Sequence, residues 1–342
     1  MTAAQDPQIF GFLLVPKFAM MAFTSAVEPL RAANLLSGKE LYDWRVITRD
    51  GQPLPSSNRI RLMPDASIET VAETLNPGGP GGRLASVVVC GGMDGQLYQD
   101  QAVFAWLRRL ARQGARVGAL SDGSYILARA GLLDGYRCTI HWSCLPGFTE
   151  TFPEIEASSE IYCIDRNRFT ASGGTASLDL MLHMIEVDHG RDLAVAVAEQ
   201  FLHERIRSDR DRQRMPLRLR LGLSHPKILE AVGLMEEHLE EPLSCVELSE
   251  RSGLSTRQME RLFRKYLKRT PQRYYLELRL ERAQRLLTQS SLPVMEVALA
   301  CGFVSPSHFA KCYREQYNQV PKSTRLGAPR SAPAGAGAVA AE

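Results

Sequence analysis

Two stretches of this 342-residue sequence gather side chains that could do chemistry. The first is RVGALSDGSYILARAGLLDG, from Arg116 to Gly135. An apolar strand ends there at Leu120, a tight turn holds Ser121, Asp122 and Gly123, and a helix follows. Such a strand-turn-helix elbow presents Ser121 on a strained turn at a helix N-terminus, where main-chain N–H groups favour an anion. His141 comes 20 residues later, beside Trp142, in TIHW. A serine, unlike a low-pKa cysteine, attacks only with a dedicated base, and the sequence offers no convincing Ser-His-Asp/Glu set. Two readings stay open: a hydrolase or lyase centred on Ser121 and His141, or a pocket that holds a small ligand. For a ligand, the N–H groups of Ser121–Gly123 suit a carboxylate, Glu28 suits a cationic end, and Trp142 offers a ring face for a cation–π contact. Trp142 equally suits a place in the core.

The second stretch is a repeat at a spacing of about 50 residues. VELSERSGLSTRQMERLFRKYLKRTP runs from Val246 to Pro271, and MEVALACGFVSPSHFAKCYREQYNQVP from Met295 to Pro321. Small residues, Ser249 and Ala298, stand four positions before Gly253 and Gly302. This is the pattern of two helix-turn-helix units: the small residue lets two helices cross closely, and the glycine permits the sharp turn. Ser255 and Ser305 are good N-caps for the second helix of each unit. Met259, Leu262 and Phe263, and in the other copy Phe309, Cys312 and Tyr313, fall on one stripe. The opposite face carries Arg257, Arg261, Arg264 and Lys265, or Ser307, His308, Lys311 and Arg314. Between the copies, Pro271–Thr288 reads as one helix, about 27 Å long at 1.5 Å per residue. Adding helix widths to that length sets the two second helices about one DNA turn apart, on successive major-groove segments.

The elements around these stretches divide the chain. Ile9–Val15, Trp44–Thr48, Ser86–Cys90 and Arg116–Leu120 read as strands. Thr24–Ser37, Asp100–Gly114, Gly123–Ala130 and Thr175–His189 read as helices. This alternation predicts an α/β domain with a mostly parallel sheet over residues 1–205. Asn76–Arg83 (NPGGPGGR) is a loop, with no Gly-Lys-Ser/Thr to make it a phosphate cradle. Residues 206–224, polar, basic and broken by Pro216 and Gly222, read as a linker. Residues 225–326 read as nearly all helix, and the Ala, Gly and Pro-rich residues 327–342 as a disordered tail. Charge follows the same division. Residues 1–224 hold 24 Lys/Arg against 25 Asp/Glu, whereas residues 251–326 hold 15 against 5. A neutral first part joined to a basic second part points to nucleic acid. With 44% hydrophobic residues the chain can bury a core, and no apolar run approaches the roughly 20 residues of a membrane span. No signal peptide is visible. The seven cysteines form no C-x-x-C pair, so neither a zinc site nor a disulfide framework is suggested, and a reducing cytoplasm fits best. No cofactor is implied.

Residues 225–326 resemble the DNA-binding domain of the AraC/XylS family of bacterial transcription regulators. The segments that carry the resemblance are RSGLSTRQMERLFRKYL, TPQRYYLELRLERAQRLL and EVALACGFVSPSHFAKCYREQYNQVP. The resemblance implies that the exposed N-terminal positions of both recognition helices read bases: Arg257, Glu260 and Arg261, and Ser307, His308 and Lys311. Arg suits guanine and Glu suits cytosine N4. Arg264, Lys265 and Arg314 lie further along and suit phosphates. The elbow, with VVVCGGMDG and FTASGGTASLDLMLHMIE, resembles the PfpI-like branch of the class I glutamine amidotransferase-like superfamily. Active members carry a cysteine where this chain has Ser121. His141 matches their histidine, and Glu28, in AVEPLRAAN, is the match for their glutamate.

The two parts together resemble the GlxA-type subgroup of AraC regulators, and AVEPLRAANLLSGKELYDWRVIT looks most like regulators of quaternary-amine catabolism, those responding to glycine betaine or carnitine. The resemblance implies a PfpI-like α/β domain that binds an effector and dimerises, joined to an all-α domain with two helix-turn-helix units. It implies a regulator rather than an enzyme, an activator acting on double-stranded promoter DNA with RNA polymerase as partner. The effector would be a quaternary amine or amino-acid-like compound, held by Glu28, Ser121, Asp122, Gly123, His141 and Trp142.

Overall fold

The structure is a computed structural model that describes residues 6–75, 83–290 and 292–325. Most of the turn-rich loop, residues 76–82, and the tail from residue 326 lie outside the described residues. The chain divides into two compact units, Met1–Arg214 and Met215–Glu342.

The first unit runs β1 (Gln8–Leu14), α1 (Met20–Ser37), β2 (Tyr42–Thr48), β3 (Ala66–Ser67), β4 (Ser86–Cys90), α2 (Gln101–Arg112), β5 (Arg116–Leu120), α3 (Ser124–Arg129), α4 (Leu145–Thr151), β6 (Tyr162–Asp165), β7 (Arg168–Ala171), α5 (Ala176–His189) and α6 (Arg191–Gln200), with shorter pieces between. The sheet order is β6-β7-β5-β4-β1-β2-β3. Every neighbour pair is parallel except β6 with β7. Strands covered on both faces need apolar residues on both, and SVVVC of β4 is buried throughout. Val88 and Cys90 join a core with residues of α1, α5 and α6. Val87 and Val89 face the other way, into a core with residues of α2 and α3. The result is a three-layer α/β/α sandwich with the elbow at the C-terminal end of β5, next to the sheet's centre.

One feature departs from the sequence reading, and a second, the β6–β7 hairpin, was not part of it. α1 begins at Met20, four residues before Thr24, because a tertiary contact starts it. Its N-cap, Ala19, has no capping side chain, and the Ala19 N–H bonds to the Gly91 carbonyl at 2.9 Å. The β6–β7 hairpin turns without a glycine, since Arg166 itself takes φ +55°.

The segment read as a linker is divided between the units. Residues up to Arg214 are tied to the first. The second unit begins with α7 (Leu217–Leu221), whose Arg220 pairs with Glu236 at 2.8 Å. Then come α8 (Pro226–Glu237), α9 (Cys245–Arg251), α10 (Thr256–Leu267), α11 (Pro271–Gln289), α12 (Val294–Ala300), α13 (Pro306–Tyr317) and α14 (Pro321–Arg325). Helices α8 to α10 close around Val232, Met235, Met259 and Phe263. The C-terminal half of α11 closes with α12 and α13 around Leu286, Phe303 and Phe309. Among the described residues no helix is long and apolar enough to cross a membrane, and all seven cysteines are free thiols.

Candidate functional site

β5 ends so sharply that Ser121 takes φ +60°, a left-handed backbone that costs a non-glycine residue about 1–2 kcal/mol. Two contacts hold it there. The Ser121 carbonyl accepts the His141 N–H at 3.4 Å. Gly173, itself at φ +95°, stands so close that a Cβ on it would lie 2.9 Å from Ser121 Cβ. The His141 imidazole is oriented from its Nδ1 side by Ser143, whose hydroxyl lies at 2.7 Å and whose N–H donates at 3.3 Å. The Trp142 ring is half-buried, with its centroid 5.5 Å from that of His141, and the Arg214 guanidinium sits 4.9 Å over its face.

The structure therefore brings Ser121, His141 and Trp142 together, with Arg214 added. It turns Asp122 away from them. The Asp122 carboxyl is buried, and Oδ2 accepts the Gly95 N–H at 2.7 Å while Oδ1 lies against Gly91 without a hydrogen bond. A Cβ on Gly95 would lie 2.7 Å from the Asp122 carboxyl carbon, which is why the facing loop reads GGMDG. Burial pushes this carboxyl above the usual carboxylate range, opposed by the N–H groups of Gly95, Gly92 and Asp122 itself. Of the donors expected to hold an external carboxylate, the Asp122 N–H thus already faces the protein's own. Gly123 is buried beneath the turn, its Cα against the Val89 carbonyl.

Glu28 is a correction. It lies near the middle of α1, half-exposed and paired with Arg31 at 2.7 Å. The end of α1 that meets the elbow is the other one, through Ala19 and Gly91. At 1.5 Å per residue, Glu28 stands about 12 Å further along the axis. The spacing AVEPLRAAN carries no information on which turn of the helix faces the elbow. Sequence reasoning missed Arg214, Gly173 and Ser143. Arg214 was hidden in a basic run that reads as solvated, whereas Gly173 had a visible signal in the SGG of FTASGG.

In the second unit the two repeats superpose at the level of hydrogen bonds. The Leu254 N–H bonds to the Ser249 carbonyl, and the Phe303 N–H to the Ala298 carbonyl, each at 2.9 Å. Gly253 and Gly302 take φ +61° and +73° between them. Ser255 caps α10 in a reciprocal box with Gln258, and the Ser305 hydroxyl accepts the His308 N–H. Arg257, Glu260, Arg261, Arg264 and Lys265 are all exposed on α10, as are Ser307, His308, Lys311 and Arg314 on α13. His308 also reaches Cys312, Nε2 to Sγ at 3.3 Å.

Charge pairing separates these helices from the one between them. On α11, Arg273 pairs with Glu277 and Arg285 with Glu281, while Arg279 is taken up by main-chain carbonyls. Among the described residues, none of Arg257, Arg261, Arg264, Lys265, Lys311 and Arg314 makes an ion pair. Cations left without a protein carboxylate on two matching helices are an arrangement for phosphates and base edges.

Comparison with known proteins agrees with both halves. Residues 12–187 match the DJ-1/PfpI family and residues 248–327 a helix-turn-helix domain. The HTH-type transcriptional regulator GbdR of Pseudomonas aeruginosa is 47% identical over 329 residues, covering 96% of this chain and 87% of the relative. CdhR, an HTH-type transcriptional regulator of the same organism, is 44% identical over 327 residues, covering 96% and 94%. Among solved structures, an AraC family transcriptional regulator from Pseudomonas putida shares 28% identity at a TM-score of 0.50, covering 57% of this chain and 100% of its own. With an elbow domain of the DJ-1/PfpI type joined to two helix-turn-helix units, the chain belongs to the GlxA-type branch of the AraC family, the DNA-binding transcriptional regulators.

Proposed function

We propose that this regulator answers a small cationic or zwitterionic nitrogen metabolite, with a quaternary ammonium compound such as glycine betaine as first choice, bound beside Ser121, His141 and Trp142. The observation that carries the reading is the half-buried Trp142 face, which already stacks against one cation and so suits another. The orientation is then the reverse of the one first expected, with the cationic end at the elbow and Glu28 uninvolved. In this reading the elbow does no chemistry: Ser121 has no thiol, and the Nδ1 side of His141 is engaged by Ser143.

On DNA, Arg257, Glu260, Arg261, Ser307, His308 and Lys311 read bases, while Arg264, Lys265 and Arg314 hold phosphates. The regulator works as a cytoplasmic homodimer that activates transcription through RNA polymerase. The effector acts by binding one arrangement of the protein better than another.

Calorimetric titration of the full-length protein with glycine betaine, dimethylglycine, carnitine and arginine tests the effector. One of these should bind, and Trp142→Ala should weaken it by roughly 2- to 30-fold, the worth of a cation–π contact. Binding by none of the four would sink the effector class. A wild-type activity on an amide or a 2-oxoaldehyde that disappears in Ser121→Ala would establish the rival reading, a hydrolase or lyase.

A further inference from the structure

The last residues of the first unit form a strap, and it is held unequally at its two ends. At the near end, Asp179 is fully buried and binds three groups of the strap. Its Oδ1 accepts from the Arg207 N–H at 2.7 Å and lies 2.8 Å from His203 Nε2; its Oδ2 accepts from Arg207 Nη2 at 2.6 Å. A buried carboxylate paired with a guanidinium through several hydrogen bonds is costly to break. At the far end, Gln213 Nε2 has only two hydrogens for three acceptors, the Ile140 and Glu160 carbonyls and Thr139 Oγ1, all within 3.0 Å. The Gln213 Oε1 atom is buried without a partner, which costs free energy wherever it occurs. Arg214 follows and lays its guanidinium over Trp142. The next residue, Met215, opens the DNA-binding unit.

We propose that Arg214 is the built-in occupant of the Trp142 cation subsite, and that a cationic effector binds by taking its place and loosening the strap's far end. This rests on the reading of the first unit as the effector domain. The class of ligand follows from the occupant: a delocalised or alkylated cation that can lose its water and lie on an indole face, as guanidinium and quaternary ammonium groups do. An internal occupant also sets the sensitivity. If the subsite is open for a fraction of the time, apparent affinity falls by that fraction, so the protein responds only when the metabolite is abundant. Loosening is confined by the Asp179 anchor. Between the two ends the Asp211 carbonyl accepts the Ile161 N–H at 3.2 Å and Arg212 bridges to Glu160; even with these ties released, residues 208–214 span at most about 25 Å when extended, which bounds the slack that the effector gives to the chain entering the second unit.

The test uses the full-length protein, wild type and Arg214→Gln, with glycine betaine and tetramethylammonium as probes. Calorimetry should show the variant binding a probe several-fold to about 30-fold tighter, because the competing cation is gone. Hydrogen-exchange mass spectrometry should show amides 211–214 exchanging faster in the unliganded variant, at the rate the wild type reaches only with saturating probe. Amides around Arg207 should stay protected in both. Equal or weaker binding by Arg214→Gln, or a strap in the wild type that ignores bound probe, overturns the proposal and leaves the effector reading standing. If neither probe binds either protein, the proposal falls together with that reading.

Discussion

Arg261 and Lys265 lie one turn apart on the same face of α10, both exposed and neither ion-paired among the described residues. Their places along the helix separate their roles. Arg261 is in the turn nearer the N-terminus, where side chains reach base edges, and Lys265 lies further back along the duplex surface. Arg261→Ala should weaken specific binding by roughly 1–3 kcal/mol while leaving random DNA nearly unaffected. Lys265→Ala should weaken both alike and lower the slope of log K against log salt by about one. Titration of both variants against an operator and a random duplex at several salt concentrations checks this; equal losses on the two duplexes for Arg261→Ala would remove it from the base-reading set. These residues were legible because a 3.6-residue period assigns each side chain to one face, and a second copy repeats the assignment. The elbow was legible only in part. Strand, turn and helix are a local pattern, so Ser121 and its strained backbone could be foreseen. Which way Asp122 turns depends on Gly91 and Gly95, about thirty residues earlier in the sequence, and no local pattern encodes that.

α11 does more than separate the two recognition helices. Arg279, at its middle, donates to the Cys301 carbonyl at 2.8 Å and to the Gly302 carbonyl at 2.7 Å, and its guanidinium lies 4.2 Å over the Phe303 ring. It therefore caps α12 and fixes the turn of the second helix-turn-helix unit onto the spacer. Burial lowers its pKa, yet a guanidinium stays charged throughout the accessible range, so the bonds persist. Arg279→Ala should destabilise the second unit by about 2–4 kcal/mol, the loss of two charge-assisted hydrogen bonds and a stacking contact. Arg279→Lys should recover little, because an ammonium cannot reproduce the fork. Urea unfolding of the two variants reads the effect, and a loss under about 0.5 kcal/mol in Arg279→Ala would show the cap to be dispensable. The sequence showed the helix but not this duty, since Arg279 sits in a run of arginines that look alike. The same limit applies to the start of α1, where a backbone choice that usually has a local marker is made by Gly91, a neighbour distant in sequence.

At the scale of the molecule, the feature that matters is that its cores do not mix. The first unit closes two apolar layers around its sheet, and the second closes its own two clusters around α11. The sequence signalled this division through the change from alternating strands and helices to helices alone, and through the jump in charge. It misplaced the seam, because residues 206–214 look like solvent-exposed linker until Asp179 and the Thr139–Ile140 edge are there to bind them. Independent cores should unfold independently, so a two-state description applies to each unit and not to the chain. Differential scanning calorimetry of the full-length protein should resolve two transitions. An effector at 100 times its Kd stabilises the state that binds it by about 2.7 kcal/mol, which for a unit of some 200 residues is a rise of roughly 5–11 °C. That rise should fall on the transition of the first unit alone, and operator DNA should raise the other. Arg279→Ala, which belongs to the second unit, supplies the assignment by lowering one transition and leaving its neighbour in place. If the effector instead moves the transition that Arg279→Ala lowers, the ligand binds among the helices, and the site beside Ser121 and Trp142 is not where this regulator senses its metabolite.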